Sequence, residues 1–232
     1  ADPKVDLVIP LGFLATNYVC HRGNLPKPVV AAVVVDARLQ NLPLKDGASG
    51  VENLTYIDPF VSFERDIRVF REMVPYHSLV VLLHGEAVES IPWIEKKFRR
   101  IAQENTIDIH IVPVQLSADQ ALAAVPADTD AVYLFPLQKL TPGEFRKLLY
   151  GLVLRKLPSF SLLGGEDVEA GVLASASPVT DIPRLTRRIA LNVQRILLGE
   201  KASTLRVAFP IGEKLTINMA TARAIGVYPT WS

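Results

Sequence analysis

The chain has little of what usually announces a chemistry. It carries one cysteine, Cys20, so no intrachain disulfide can form and a disulfide scaffold is excluded. It also lacks an excess of either charge: 25 basic against 24 acidic residues leave a formal +1, too little to gather nucleic acid or an anionic membrane surface. Nucleic acid is therefore not an expected partner. The longest apolar run, Val29 to Val35, falls far short of the roughly 20 residues that span a bilayer. No basic segment followed by an apolar one opens the chain, so any export signal is expected upstream of Ala1 or already removed.

Catalytic signatures are missing as well. No glycine-rich P-loop or dinucleotide fingerprint follows an apolar run, so the pyrophosphate cradle that both supply is not expected. Gly47-Ala48-Ser49-Gly50 lacks the spacing of a nucleophile elbow. None of the four histidines, His21, His77, His84 and His110, lies four residues from another, as a helical metal site requires. The expectation is a non-enzyme with no catalytic residue, no metal and no cofactor.

What the chain does have is alternation. Val5 to Ile9, Val29 to Val35, Leu79 to Leu83, Ile107 to Val114, Ala131 to Phe135, Phe160 to Leu163 and Val172 to Ala174 read as strands. Between them, Phe63, Ile67, Phe70 and Val74 share one helical stripe, and Ile91, Ile94, Phe98 and Ile101 another. Thr141, Pro142 and Glu144 begin a third helix with the stripe Phe145, Leu148, Leu149 and Leu152. Ile182, Leu185, Ile189, Val193 and Ile196 form a fourth, closing at Gly199, and a short helix is expected after Asn218. Strands alternating with helices specify a parallel α/β fold. The turn-rich segment from Gly47 to Pro59 interrupts the rhythm and reads as a boundary.

In such folds ligands gather at the carboxyl ends of the strands. His84 follows the apolar run Leu79 to Leu83 and precedes Gly85-Glu86; it reads either as a surface loop histidine or as a ligand contact. Glu166, Asp167 and Glu169 follow Gly164-Gly165 at another strand end, where a carboxylate can accept hydrogen bonds from a ligand or simply face solvent.

From about Val5 to Val227 the chain resembles the bacterial ABC-transporter substrate-binding proteins of the tryptophan-binding-like group. The likeness rests on an ordered set of segments: Val5 to Gly12 with Ala15, Lys27 to Val30, Glu64-Arg65 with Met73-Val74-Pro75, and Val112-Pro113-Val114 with Ser117-Ala118-Asp119. Thr129 to Tyr133, Ala170 to Ser175, Leu197 to Lys201, Leu215 to Asn218 and Ala222 to Gly226 complete it. The resemblance implies two Rossmann-like lobes of parallel sheet flanked by helices, of the periplasmic binding protein type I kind. The first lobe would hold residues 1–57 and 176–203, the second 58–175 and 204–232. The family's opening strand–helix–strand unit has no counterpart, so the first lobe is expected to be truncated at its N-terminus and to pair with another chain or an upstream segment.

The implied function is capture of a small organic ligand, an amino acid or similar, in an inter-lobe cleft, as part of a periplasmic or envelope transport system. Expected contacts are Gly12, Phe13 and Leu14, Asp36, His84, Glu86, Gln138 and Glu166. The cleft departs from the family pattern: Leu137-Gln138 stands where an Asp-Asn pair is usual, and Gly85-Glu86 where Asn-Pro is usual. The ending from Leu215 to Trp231 resembles the junction in outer-membrane efflux (TolC-like) proteins that carry a module of this kind. Expected partners are therefore a membrane permease or efflux components and a second copy of the chain. The alternative is a structural module with a vestigial cleft on such an assembly.

Overall fold

The computed structural model describes residues 2–59, 62–177 and 182–228. Its elements begin with helix α1 (Phe13–Cys20), strands β1 (Val29–Ala31) and β2 (Leu54–Tyr56), helix α2 (Phe63–Met73) and strand β3 (Ser78–His84). Helices α3 (Gly85–Ser90) and α4 (Ile94–Asn105), strand β4 (Asp108–Val114), helix α5 (Ala118–Ala124), strand β5 (Ala131–Leu134) and helix α6 (Pro142–Leu154) follow. Strand β6 (Ser159–Ser161), helix α7 (Gly165–Ala170), strand β7 (Ala174–Ser175), helix α8 (Ile182–Leu197), strand β8 (Thr216–Ile217) and helix α9 (Met219–Ile225) complete the series. The chain divides into one unit of Ala1–Ser62 with Thr180–Ile211 and a second of Phe63–Val179 with Gly212–Ser232. The boundaries read from sequence, after residues 57, 175 and 203, fall a few residues before these.

The second unit is built on a sheet in the order β4-β3-β5-β6-β7-β8, parallel except for β8, which runs antiparallel to β7. Because side chains alternate along a strand, its two faces differ. Val80 and Leu82 of β3, Val112 and Val114 of β4, and Val132 and Leu134 of β5 turn to an aliphatic face covered by Leu148, Leu149 and Leu152 of α6. Tyr133 and Phe135 turn the other way. There Phe63 of α2 meets Tyr133 edge-on at 4.8 Å and Phe98 of α4 at 5.0 Å, while Phe160 stacks on Tyr133 at 5.9 Å. Each fully buried aromatic of this kind contributes about 1.5–3 kcal/mol through burial. The Tyr133 hydroxyl donates to the fully buried carboxylate of Asp66, which also accepts from Arg65.

The helix signals behave as expected. Thr141 caps α6 by accepting from the Glu144 amide at 3.2 Å, and Asn218 caps α9 by accepting from Ala220 and Thr221 at 3.0 Å each. Ile94, Phe98 and Ile101 form the buried stripe of α4, whereas Ile91, also buried, lies just past α3.

Among its described residues the first unit has two strands, β1 and β2, paired in parallel. Of the expected strand Val5 to Ile9, only Val8 bridges, to Val29. The strand expected over Val29 to Val35 ends at Ala31, because the Val35 and Asp36 amides donate to the Gln40 side chain instead of to a neighbouring strand. Strand β2 lies inside the stretch read as irregular; at three residues, next to Asn53 in the left-handed region at φ 60°, it leaves no periodic signal. The α8 stripe is present, with Ile196 packed against Val30, Ala202 and Leu205 while Ile182 is exposed.

Candidate functional site

In the second unit the parallel register brings the carboxyl ends of β3, β5, β6 and β7 to one edge of the sheet: Leu82 pairs with Leu134, Leu134 with Ser161, and Phe160 with Ala174. His84 ends β3 at this edge and is 8% exposed, so the surface-loop reading of this residue is corrected. It is buried because it remains within the strand, paired with Val114 of β4, and then turns directly into α3. Its Nδ1 accepts a hydrogen bond from the Glu86 amide at 3.2 Å, capping that helix. A neutral imidazole that accepts at Nδ1 carries its proton at Nε2. That Nε2–H is buried and has no hydrogen-bond partner among the described residues.

The neighbouring groups divide into tied and open ones. The Glu86 carboxylate accepts from Lys139, and that bond together with the Lys139 charge holds its carboxyl below the usual carboxylate value. Gly85 leaves room for Gln115: a Cβ there would stand 2.1 Å from the Gln115 amide and would force that side chain away. Gln138 is exposed in the turn after β5. Glu166 is exposed in the first turn of α7, a helix where the sequence suggested a loop.

The carboxylate anchored at this edge is that of Asp167, one residue on. It accepts from the Ser161 hydroxyl, which itself accepts from the Leu163 amide at 3.0 Å. Burial raises the Asp167 carboxyl above its ordinary value, the Ser161 bond opposes this, and the Glu166 charge adds to the rise. Ser177, just beyond β7, contributes a buried hydroxyl without a described partner. Ser161 and Ser177 were not singled out in the sequence. A serine directly at a strand's carboxyl end is the signal that would have found the first.

In the first unit, Gly12 stands at the N-cap of α1 with φ 92°, a conformation that favours glycine, and is exposed. Phe13 and Leu14 are half-buried in the first turn of α1, a helix where a loop was expected. Asp36 is buried, and its Oδ1 accepts from the Leu39 amide at 2.8 Å, which closes the turn after β1. This bond engages one carboxylate oxygen in holding the backbone. Close by in sequence, Gln40 accepts from two amides through Oε1, and its buried Nε2 has no partner among the described residues.

Among the described residues no group of three His, Cys, Asp or Glu side chains is placed to hold a metal ion. None of the described helices is long and apolar enough to cross a membrane.

No protein-family model matches the chain, and no curated protein sequence matches it. Solved structures do. A conserved domain protein from Vibrio cholerae O1 biovar El Tor is similar with a TM-score of 0.73 and 19% identity, over 97% of this chain and 75% of its own. An ABC domain in complex with L-Trp from Streptococcus pneumoniae reaches 0.71 at 19% identity, over 99% of this chain and 78% of its own. The fold is that of the substrate-binding proteins. A third, a ligand-free, open substrate-binding protein with adhesive properties from Clostridium difficile, gives 0.62 at 15% identity, over 97% of this chain and 75% of its own. The substrate-binding-protein fold, of the periplasmic binding protein type I kind, thus covers nearly all of this chain.

Proposed function

We propose that the chain is a non-enzymatic solute-binding module that takes a small organic ligand, an amino acid or a molecule of similar size, for a transport system of the bacterial envelope. The observation that carries this reading is the His84 Nε2–H, a buried donor without a described acceptor at the carboxyl edge of a parallel sheet. A donor left in that state costs about 1–3 kcal/mol, which a ligand carboxylate, carbonyl or hydroxyl would relieve. The nearly balanced charge of the chain suits a small solute better than a polyanion. The L-Trp in the Streptococcus pneumoniae structure makes amino acids the first class to test. On this reading Gly12, Phe13, Leu14, Asp36, Glu86, Gln138 and Glu166 remain candidate contacts, and Ser161, Asp167 and Ser177 join them. A membrane permease or efflux components, and self-association through the first unit, complete the proposed partners.

The test is a thermal-unfolding screen against amino acids, small carboxylates, nucleosides and sugars. A ligand at 100 times its dissociation constant adds about 2.7 kcal/mol and shifts the melting point by several degrees. The substitution His84→Asn keeps an acceptor for the Glu86 amide but removes the Nε2 donor. It is expected to weaken calorimetrically measured binding by about 1–3 kcal/mol while the protein stays folded. Unchanged affinity in that variant overturns the role of His84. A screen without any shift overturns the binding reading and favours a structural module.

A further inference from the structure

Strand β4 lies at the outer edge of the second unit's sheet, with β3 as its partner. The Asp108 amide donates to His77 at the foot of β3, so Asp108, His110, Val112 and Val114 direct their backbone groups toward β3. Ile109, Ile111 and Pro113 therefore direct theirs outward. Proline has no amide proton, so the free edge ends at Pro113. Two residues, Ile109 and Ile111, remain, each with an outward N–H and C=O. A groove of about 830 Å³ runs along this edge between β4 and α4, lined by Phe98, Ala102, Ile109 and Ile111 with Glu95 and Arg99 at its mouth. Unpaired backbone beside a half-buried apolar strand is a template for another strand.

We propose that this edge pairs with the same edge of a second copy of the chain, antiparallel, about a two-fold axis through His110. The two outward-facing residues straddle His110 symmetrically. Ile109 of one copy then exchanges both backbone hydrogen bonds with Ile111 of the other, and the reverse pair does the same. The polar side chains also match in this register. Asp108 lies opposite Val112 of the other copy and diagonal to its His110, within side-chain reach, so each exposed carboxylate approaches an exposed imidazole. A two-fold contact is self-complementary and closed, and Pro113 at each end stops the ladder from extending into a fibre. The result is a continuous sheet across two second units, with Ile109 and Ile111 covered on both copies. This contact is separate from self-association through the first unit.

The experiment is light scattering of the full chain over rising concentration, with two variants. The unsubstituted protein is expected to reach twice the monomer mass. Ile111→Pro removes an outward amide without touching the bonds to β3; it is expected to stay monomeric with an unchanged far-ultraviolet circular dichroism spectrum. His110→Cys places two thiols at a non-hydrogen-bonded antiparallel pair, where Cα atoms stand about 4.5 Å apart, within the range a disulfide spans. It is expected to form a cross-linked dimer under mild oxidation, whereas Glu104→Cys on α4 is not; Cys20 is buried at 5% exposure and does not compete. A monomer at every concentration overturns the proposal. So does a dimer that persists in Ile111→Pro and fails to cross-link through His110→Cys, since it would place the contact elsewhere. If Ile111→Pro does not fold, the cross-link decides alone.

Discussion

The two units solve the same problem by different means. The second rests on a six-stranded sheet whose two faces are filled by apolar side chains, aliphatic on one side and aromatic on the other. The first has two strands of three residues each and is stitched by side chains that bond to backbone. Gln40 accepts from Val35 and Asp36, Asp36 from Leu39, the Asn53 amide donates to Leu25, and the Tyr56 hydroxyl donates to Pro43 at 2.9 Å. Where ladders are short, backbone groups that would otherwise be orphaned must find other partners. The same alternation of strand and helix thus produces one unit built on a long-laddered sheet and one in which side-chain-to-backbone bonds supplement smaller apolar clusters around Val29, Leu54 and Tyr56 and around Val30 and Ile196.

That contrast can be broken by substitution. Phe63→Ala removes a fully buried ring that touches Phe98, Tyr133 and Phe135, and is expected to cost about 4 kcal/mol in denaturant unfolding. A loss below about 1 kcal/mol would show that the aromatic face collapses around the gap and is not what holds the second unit. In the first unit, Gln40→Ala strands two amides, and a loss of about 2 kcal/mol is expected from the same measurement. A neutral result would mean that the turn after β1 does not depend on that side chain.

Smaller effects sharpen the picture. Thr55 of β2 is fully buried, and its hydroxyl has no described partner. Thr55→Val keeps the shape and removes the polar atom, so it is expected to be neutral or to stabilise by up to about 1 kcal/mol. Destabilisation would reveal a hidden role for the hydroxyl. Asp167 supplies the smallest and most specific check. Its folded value is raised above the ordinary 3.8, so folding takes up a proton there. Its stabilising contribution is full below 3.8 and is lost as pH rises through the raised value. The stability of the unsubstituted protein relative to Asp167→Asn should therefore fall as pH rises from about 3.8 and then level off. Parallel pH curves for the two proteins would contradict the burial of this carboxyl.

Much of the second unit was legible because its elements are long enough to show a period. Phe98 and Ile101 on α4, Leu148 and Leu152 on α6, and the alternation of Val132, Tyr133, Leu134 and Phe135 each repeat the geometry that buries them. The first unit was harder to read. Three residues cannot display a period, so β2 went unseen, while the apolar continuation of β1 to Val35 suggested a strand that Gln40 cuts off. The candidate site was legible in part. Strand-end logic pointed to His84 and to the acidic group after β6, yet it favoured Glu166, which faces solvent, over Asp167, which bonds Ser161.

Composition and periodicity by themselves determined the α/β class and the parallel character of the main sheet, because strands and helices alternate along the chain, and the helix caps at Thr141 and Asn218, because these depend on neighbours within a few residues. Only tertiary structure decided which polar groups are spent on holding the fold and which remain open. Asp36 and Glu86 look alike in sequence as carboxylates after strands, but one closes a backbone turn and the other meets Lys139 at the surface. His84 commits one nitrogen to the Glu86 amide and leaves the other, a buried donor, without a partner among the described residues. Hydrogen-bond partners are set by distance and direction in space, and local sequence carries neither.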